Sequence, residues 1–348
     1  MSRFEEFYRQ SVDEPEAFWA EQAKLIDWHT PAQQILDASQ PPFARWFVGG
    51  TTNLCHNAVD RHLATRGGQP ALVFVSTETG VEKSYSFDEL HAEVQRTAAS
   101  LMELGVGKGD RVLIYMPMIP EAAFAMLACA RIGAIHCVVF GGFASVSLAT
   151  RIEDAEPKVI VSADAGSRGG KVIAYKPLLD EAIRLSKHKP SAVLLTDRGL
   201  APMDLAAGRD HLAAELRQRH IDAKVPCTWM ESTDISYTIY TSGTTGKPKG
   251  VQRDVGGYAV ALAASMKHIF DGRPGETYFS TSDIGWVVGH SYIVYGPLIA
   301  GMATIMYEGL PTQGIDRQPD GGIWWRLVEK YRVTVMFSAP TAVRVLKK

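Results

Sequence analysis

Short apolar runs alternate along most of the chain with longer segments that could form helices. The runs are rich in β-branched residues, as expected for buried strands, and they span residues 71–75, 111–116, 134–140, 159–162, 192–195, 235–240, 277–280, 304–307 and 333–337. Strands separated by helix-length segments are typical of βαβ units with largely parallel sheets. The pattern therefore predicts an α/β fold of stacked, largely parallel sheets flanked by helices.

Local signals predict the ends of two of these helices. Ser86, with Glu89 three residues later, predicts an N-cap with a capping box, and Gly105 follows the predicted C-terminus of that helix. Pro120 suits the first turn of the next helix, because proline lacks the N–H group that a first turn leaves unbonded. Gly133 is expected to end that second helix.

A change in composition predicts how the chain is divided. Residues 204–224 are polar and Pro226 follows them, which predicts a break between two subdomains. We expect a helical N-terminal segment packed on the core over residues 1–65, a first α/β subdomain over 66–225 and a second over 226–348. Two subdomains also agree with the usual domain size of roughly 150 residues.

Composition and charge exclude several classes of protein. The 348 residues are 46% hydrophobic, enough for a sizeable core and too many for a disordered chain. The formal net charge is −2 and no long run has one sign, so we expect no nucleic-acid partner. Residues 285–307 carry no charged side chain, but glycines and Pro297 interrupt them. A buried helix followed by a buried strand is expected there in place of a membrane span.

The cysteines indicate a reducing environment. Cys55, Cys129, Cys137 and Cys227 lie far apart and form no C-x-x-C pair. This spacing argues against a zinc site and against a disulfide framework, so buried free thiols are expected. The first residues include early acidic side chains and no apolar signal segment, which predicts a cytoplasmic protein.

The loop Thr-Ser-Gly-Thr-Thr-Gly-Lys-Pro-Lys-Gly at residues 241–250 carries the strongest chemical signal. Its glycines allow backbone N–H groups to converge on an anion, its hydroxyls add donors, and its two lysines add positive charge. A flexible linker would explain the glycines but not the lysines. We therefore expect a polyphosphate-binding loop, with the candidate residues Thr241, Ser242, Gly243, Thr244, Thr245, Gly246, Lys247 and Lys249.

A Walker A loop is the alternative kind of phosphate loop, and the spacing disfavours it. That motif places four residues between its first glycine and its Gly-Lys pair, and Ser or Thr follows the lysine. Here only two residues separate Gly243 from Gly246, and Pro248 follows Lys247. Proline at this position also disfavours a helix that begins at the lysine.

A second cationic cluster follows the predicted strand 159–162. Arg168 and Lys171 flank Gly169 and Gly170, an arrangement able to hold a phosphate group. Most charged turns are simply solvated, and the residues alone favour that interpretation.

Residues 241–250 resemble the phosphate loop of the adenylate-forming superfamily, which includes acyl-CoA synthetases, luciferases and adenylation domains. Over essentially its whole length the chain is similar to the AMP-forming short-chain acyl-CoA synthetases. The segments that carry this resemblance are residues 18–19, 46–47, 57–63, 140–143 and 285–290. Residues 251–254 and 281–290 look most like those of propionate–CoA ligases.

The resemblance implies a two-step reaction. A carboxylate attacks the α-phosphorus of Mg-ATP to give an acyl-adenylate and pyrophosphate, and the thiol of coenzyme A then displaces AMP. ATP, Mg²⁺ and coenzyme A are thus the implied cosubstrates, with Mg²⁺ arriving on the ATP and no metal held by the chain itself. Propionate is the first candidate for the small-molecule carboxylate and acetate the second.

The resemblance also implies roles for residues outside the phosphate loop. The turn at 168–171 matches the loop that contacts the 3′-phosphate end of CoA. The implied CoA-binding residues are Arg168, Gly169, Gly170, Lys171, Gly141, Val288 and Thr334. Gly141 has the alternative of simply closing a turn after a strand.

The segment 286–290 is implied to wall the acyl pocket and the pantetheine tunnel. The implied pocket residues are Trp286, Val287, Val288 and Gly289. The two valines would suit a short alkyl chain, and acetate-using relatives tend to carry threonine where Val288 stands. Trp286 has the alternative of filling the core, and His290 is expected to be a hydrogen-bonded structural residue.

Relatives of this kind continue beyond the segment in which Lys348 lies. The resemblance implies further parts there: an acidic loop near ATP, a ribose-binding Asp, a hinge and a mobile C-terminal lid domain with the catalytic lysine. We therefore expect a truncated, N-terminal portion of such an enzyme, with little activity alone. A non-catalytic ATP- or CoA-binding module is the alternative.

Overall fold

Two β-sheets lie one above the other in the computed structural model, which describes residues 2–241 and 248–347. The α-helices are α1 (Arg3–Asp13), α2 (Pro15–Gln22), α3 (Leu54–Ala58), α4 (Leu63–Arg66), α5 (Phe87–Glu103), α6 (Pro120–Ile132), α7 (Ser145–Ala155), α8 (Tyr175–Leu185), α9 (Ala213–Arg219), α10 (Gly256–His268), α11 (Val287–Gly289), α12 (Gly296–Ile299), α13 (Ile323–Lys330) and α14 (Pro340–Leu346). Shorter helical segments are the 3-10 turns Ala23–Leu25 and Asp60–His62 and the π-helical segment His290–Tyr295.

The strands comprise the members of both sheets and of three two-stranded ribbons. They are β1 (Gln34–Gln40), β2 (Phe43–Val48), β3 (Thr51–Thr52), β4 (Pro70–Ser76), β5 (Glu82–Ser86), β6 (Arg111–Met116), β7 (Ile135–Phe140), β8 (Val159–Ala163), β9 (Ala165–Arg168), β10 (Lys171–Ala174), β11 (Ala192–Thr196), β12 (Asp210–Leu212), β13 (Met230–Glu231), β14 (Ile235–Thr241), β15 (Lys249–Asp254), β16 (Thr277–Ser280), β17 (Ala303–Glu308) and β18 (Val333–Phe337).

Both sheets are parallel except at one edge. The seven-stranded sheet has the order β12-β11-β8-β6-β7-β14-β15, and only β15 runs antiparallel to its neighbour. The five-stranded sheet has the order β18-β16-β17-β4-β5, and only β5 is antiparallel. The predicted fold class, stacked and largely parallel sheets flanked by helices, is therefore confirmed.

Alternating side chains of the central strands divide the core into layers. Leu72 and Phe74 of β4 share one large cluster with Ile114 of β6 and with residues of α5 and α6. The alternate residues of the same strands face away, because successive side chains of a strand point to opposite faces. Val73 packs towards α13 on one outer side, and Leu113 packs towards α7 and α8 on the other. Helices α5 and α6 thus lie between the sheets.

The predicted helix ends agree with the structure. The Ser86 hydroxyl accepts the N–H of Glu89, and the Glu89 carboxylate accepts the N–H of Ser86, which completes the capping box. Helix α6 begins at Pro120, and Gly133 follows it with φ of 73°, a left-handed conformation that glycine adopts without steric cost.

The sheets cross the predicted subdomain limits. Strands β4 and β5 join the sheet formed by β16, β17 and β18, while β14 and β15 join the other sheet. Each sheet therefore contains residues from both sides of position 225, and the boundary itself stays a prediction. The segment 1–65 contains the hairpin β1–β2 beside its helices.

The uncharged segment 285–307 is mostly buried, as predicted, although Trp286 and Val287 near its start are exposed. Helical turns occupy residues 287–299, and the buried strand β17 follows them. No helix in the described part of the chain is both long and apolar enough to cross a membrane.

An ion pair joins the two sheets at the carboxyl ends of β11 and β17. Arg198 follows β11, and Glu308 ends β17. Their side chains form two parallel hydrogen bonds, with Nη1–Oε1 at 2.9 Å and Nη2–Oε2 at 2.8 Å. This fork-to-fork arrangement fixes the orientation of both groups.

Candidate active site

Strands β14 and β15 pair antiparallel and are called here the phosphate hairpin, and the predicted polyphosphate loop connects them in sequence. Thr241 at the end of β14 pairs with Lys249 at the start of β15, and both side chains are exposed. Ser242, Gly243, Thr244, Thr245, Gly246 and Lys247 lie outside the described residues. A Walker A loop leads from a strand into a helix, whereas here the chain returns along β15. The pairing therefore agrees with the argument from spacing.

The base of the phosphate hairpin is anchored to α7. The Tyr240 hydroxyl donates to Oδ2 of Asp154 at 2.7 Å, and the Arg151 guanidinium lies 5.7 Å from the centre of the Tyr240 ring. Burial, together with this hydrogen bond to Asp154, raises the pKa of Tyr240, so the hydroxyl keeps the proton that it donates. The side chain of Tyr240, near the end of β14, thus has a fixed orientation.

The Arg168–Lys171 segment is the turn of a second hairpin, formed by β9 and β10 and called here the cationic hairpin. Arg168 pairs with Lys171, and both are exposed. Gly169 and Gly170 have φ of 62° and 75°, as a type I′ turn requires. The sequence therefore needs glycine here for the turn itself, whatever it binds.

The buried carboxylate of Glu78 occupies the inner side of this turn. It accepts the N–H groups of Gly169 at 2.5 Å and of Gly170 at 2.9 Å, and the Ser167 hydroxyl at 2.8 Å. The Glu78 carbonyl oxygen in turn accepts Nε of Arg317 at 2.9 Å. Because both glycine N–H groups are engaged, a phosphate that approached this turn would meet the side chains of Arg168 and Lys171.

The segment 286–289 follows the carboxyl end of β16 and begins the helical turns of that region. Trp286 is 50% exposed and Val287 42% exposed, while Val288 is half-buried. A Cβ atom on Gly289 would lie 2.0 Å from the carbonyl oxygen of Asp283, so only glycine fits. Half of the Trp286 side chain is thus available to a ligand, although its ring also packs against Phe140 at 5.9 Å.

Asp283 connects this segment to the cationic hairpin. Its Oδ1 accepts the N–H of Gly285 at 2.7 Å. Burial raises the pKa of Asp283, while the Gly285 N–H and the positive charge of Arg168 act in the opposite direction. Tyr175 lies against both Gly166 of β9 and Gly141, and the ring of the adjacent Phe140 packs against Trp286, so the two predicted ligand-binding segments lie near each other.

His290 has the surroundings of a structural residue. It is fully buried, and its Nδ1–H donates to the carbonyl oxygen of Trp286 at 3.1 Å. Burial lowers the pKa of His290 to about 4, so the ring is neutral near pH 7. This agrees with the role expected from the sequence.

Gly141 makes close contact with Tyr175. A Cβ atom on Gly141 would lie 2.1 Å from the Tyr175 hydroxyl oxygen. The Tyr175 ring also stacks on Tyr115 at 4.7 Å, which holds it in place. Packing therefore accounts for Gly141, and its contact with CoA stays a prediction.

Thr334 lies apart from the other candidates. It is the second residue of β18, and its hydroxyl donates to the carbonyl oxygen of Thr277 at 3.4 Å, at the amino end of β16. Segment 286–289 follows the carboxyl end of β16. The structure thus brings Arg168, Asp283 and Trp286 to one side and leaves Thr334 at the other end of the strands.

The sequence motifs assign no role to two residues of this region, Asp283 and Glu78. Asp283 has a recognisable signal, since it follows the end of the buried strand β16 by only three residues and ligands bind at the carboxyl edge of a parallel sheet. Glu78 has none, because its partners are about 90 residues further along the chain.

Two family models together match residues 4–348 of the chain. The AMP-binding enzyme model matches residues 59–348, and the model of the acetyl-coenzyme A synthetase N-terminus matches residues 4–58. Propionate–CoA ligases of Salmonella typhimurium and Escherichia coli are 65% and 64% identical over 345 residues, which is 99% of this chain and 54% of theirs. An acetyl-coenzyme A synthetase of Methylobacterium radiotolerans is 45% identical over 349 residues, 99% of this chain and 53% of its own.

The chain thus spans about half the length of the curated relatives that it matches. The match to the AMP-binding enzyme model covers most of the chain, and the identity to named members extends over nearly all of it. The chain therefore belongs to the AMP-binding enzyme family.

Proposed function

We propose that this chain supplies the ATP- and CoA-binding part of a ligase that joins propionate to coenzyme A through an acyl-adenylate. The observation that carries the proposal is the 65% identity to a propionate–CoA ligase over 99% of the chain. Exposed cations lie on both hairpins, Lys249 on one and Arg168 with Lys171 on the other, and they supply positive charge for two phosphate-bearing ligands.

The first step of the proposed reaction converts the carboxylate into a better electrophile. A carboxylate oxygen attacks the α-phosphorus of ATP, and pyrophosphate leaves. The side chains of Thr241 and Lys249 in the phosphate hairpin, with those of the loop between them, bind the β- and γ-phosphates. Their positive charge and hydrogen bonds stabilise the negative charge that develops on the departing pyrophosphate.

The second step uses the cationic hairpin. Arg168 and Lys171 bind a phosphate of CoA, and the thiol attacks the acyl carbon so that AMP leaves. Lys171 presents a single point charge, whereas the guanidinium of Arg168 can bind two phosphate oxygens at once. Arg168 is therefore the stronger determinant of CoA affinity.

The carboxylate preference follows from the apolar side chains of segment 286–289. Val287 and Val288 offer methyl groups and no hydroxyl, which favours propionate over acetate. One methylene group is worth about 1–3 kcal/mol in such a pocket, so acetate remains a poorer second substrate. The proposal includes Mg²⁺ bound to the ATP and no nucleic-acid partner. It also includes a cytoplasmic location, which the four free cysteines favour.

Ligand titration and an exchange assay test the proposal together. Isothermal titration of the chain with ATP and with CoA should give one site for each. ATP–pyrophosphate exchange should be weak and should depend on added carboxylate, with propionate more effective than acetate. Binding of both ligands without carboxylate-dependent exchange would favour the alternative, a non-catalytic binding module. Failure to bind ATP would contradict the ligase, and failure to bind either ligand would contradict both functions.

A further inference from the structure

Two cysteines from distant parts of the sequence meet beside a carboxylate. Cys55 lies on α3 and is fully buried, whereas Cys227 lies in the segment before β13 and is half-buried. Their sulfur atoms and a carboxylate oxygen of Asp60 all lie within 4.8 Å of one another. Both thiols donate to the same atom, Oδ2 of Asp60, at 3.8 Å and 3.7 Å. A shared acceptor holds the two sulfurs side by side.

Neighbouring residues hold the two backbone segments together. Asn53 is the N-cap of α3, and its Nδ2 donates to the carbonyl oxygen of Thr228 at 2.8 Å. The N–H of Thr228 donates to the carbonyl oxygen of Arg131, also at 2.8 Å. Because Asn53 is two residues from Cys55 and Thr228 adjoins Cys227, the approach of the thiols is built into the fold.

A metal ion is the first alternative for such a cluster, and Arg131 disfavours it. Its guanidinium forms hydrogen bonds of 2.8 Å and 2.9 Å with both oxygens of Asp60 and lies 3.5 Å from the sulfur of Cys55. The charge of Asp60 is therefore already balanced. A divalent cation bound to these ligands would lie next to a fixed positive charge in a buried place. A disulfide carries no charge and meets no such repulsion.

We propose that Cys55 and Cys227 are a redox modification site, a thiol pair that hydrogen peroxide converts into a disulfide. The sulfur of Cys227 attacks one peroxide oxygen and the O–O bond breaks. Cys227 becomes a sulfenic acid, and the other oxygen leaves as water. The sulfur of Cys55 then attacks that of Cys227, the S–O bond breaks, and the departing hydroxide takes the Cys55 proton as water. Two thiols are oxidised and one peroxide is reduced, and a thiol reductant reverses the change.

The surroundings assign the order of these steps. Cys227 is the accessible member of the pair and reacts with peroxide first. Burial and the adjacent Cys227 thiol raise the pKa of Cys55, which makes its thiolate scarce while Cys227 is still reduced. Cys55 therefore acts as the resolving thiol and protects Cys227 from further oxidation.

Oxidation would place a disulfide bond between two distant parts of the chain. Cys55 and Cys227 flank the predicted first subdomain, so their bond closes the whole of that subdomain into one covalent loop. A long closed loop restricts the unfolded chain more than the folded one, which stabilises the fold. We expect oxidation to raise the melting temperature by about 5 °C or more.

Peptide mapping of the peroxide-treated chain tests the proposal directly. After brief treatment, alkylation of free thiols and non-reducing digestion, mass spectrometry should find one peptide pair that joins Cys55 to Cys227. Dithiothreitol should remove it, together with the rise in melting temperature. Cys227→Ser should abolish both changes, and Cys137→Ser, which alters a buried cysteine outside the cluster, should leave both in place.

Three results would overturn the proposal. One is that Cys55 and Cys227 are both still free after the peroxide treatment, so that both are found alkylated. Another is that Cys227 proceeds to sulfinic acid without a cross-link. The third is that the untreated chain binds one zinc ion per molecule that protects both thiols, since this would assign a metal site. The peptide map is made on the unaltered chain, so it decides the question even where a variant fails to fold.

Discussion

The carboxylate of Glu78 accepts the backbone N–H of Gly170 at 2.9 Å, across the inner side of the cationic hairpin. Gly170 has φ of 75°, and its N–H points inward because the turn is left-handed there. A buried anion thus holds, from within, a turn whose outer side carries two cations. The orientation of Arg168 and Lys171 therefore depends on Glu78, which lies in the turn between β4 and β5 of the five-stranded sheet.

Glu78→Ala should therefore weaken CoA binding indirectly, through the conformation of the cationic hairpin. Loss of the carboxylate leaves the two glycine N–H groups and the Ser167 hydroxyl without their acceptor. We expect the dissociation constant for CoA to rise about tenfold, or ~1.4 kcal/mol, with ATP affinity unchanged. Isothermal titration with both ligands makes the measurement.

Two further variants interpret the result. Glu78→Gln keeps one side-chain oxygen as an acceptor and should fall between Glu78→Ala and the unaltered chain. Glu181→Ala removes an exposed carboxylate that pairs with Arg184 on α8 and should change nothing. Lower stability of Glu78→Ala with unaltered CoA affinity would show that Glu78 stabilises the fold but does not position the turn.

The two cations of the hairpin should contribute to CoA binding separately. Arg168→Ala and Lys171→Ala each remove an exposed charge, and such charges are worth little to stability. We expect about tenfold weaker CoA binding for the Arg168 variant and about threefold for the Lys171 variant. Arg184→Ala, another exposed arginine, is the matched control. Unchanged CoA affinity in a Arg168→Ala/Lys171→Ala double variant would exclude this hairpin from the site.

Gly141→Ala tests the packing role of Gly141. The new methyl group would lie 2.1 Å from the Tyr175 hydroxyl oxygen, so the ring must move. We expect the free energy of unfolding to fall by about 1–3 kcal/mol, as for other overpacked sites. Urea denaturation measures this, with Gly68→Ala as control because no atom lies within 4 Å of the Cβ position there.

A double-mutant comparison completes that test. Tyr175→Phe removes the hydroxyl that lies closest to the added methyl group, so in its background Gly141→Ala should cost less stability. An equal cost in both backgrounds would contradict the packing explanation.

Buried histidines make the stability depend on pH in a defined direction. Burial lowers the pKa of His290 to about 4, whereas the unfolded chain has its usual value near 6.5. Between these values the unfolded chain binds more protons, so the free energy of unfolding should fall as the pH falls below 6.5. The slope is at most ~1.4 kcal/mol per pH unit for each such histidine.

Urea denaturation measures this slope at pH values of about 7.5, 6.5 and 5.5, which span the histidine pKa in the unfolded chain. His290→Gln removes one titrating group and should flatten the slope between the two lower values. An identical slope in the variant would show that His290 does not titrate as its burial indicates.

Local signals in the sequence predicted the elements of the fold well. The capping box of Ser86 and Glu89 and the glycine at Gly133 depend on neighbours within a few residues, so the pattern contains all the information. The apolar runs likewise became the strands of the two sheets. The order of those strands could not be predicted, because β4 pairs with β17 through contacts more than 200 residues apart.

The candidate site could likewise be predicted only where its residues are close together in the sequence. The phosphate loop and the Arg168–Lys171 turn are continuous motifs, and their residue types indicate phosphate binding without a structure. Glu78 acts through partners elsewhere in the chain, and the spacing of Cys55 and Cys227 fits no motif that would relate the two thiols. Side chains that meet only after folding leave no local pattern to find.

The central claim is that the loop between Thr241 and Lys249 binds the phosphates of ATP. Its most direct test is the ATP dissociation constant of a Lys247→Ala/Lys249→Ala variant, measured by isothermal titration. A Lys187→Ala/Lys267→Ala variant, which removes two lysines elsewhere on the chain, is the control. We predict at least about 100-fold weaker ATP binding for the first variant and no change for the second, since each charge-assisted hydrogen bond is worth roughly 1.5–3 kcal/mol. ATP affinity within about twofold of that of the unaltered chain, in a variant that remains folded, would contradict the account.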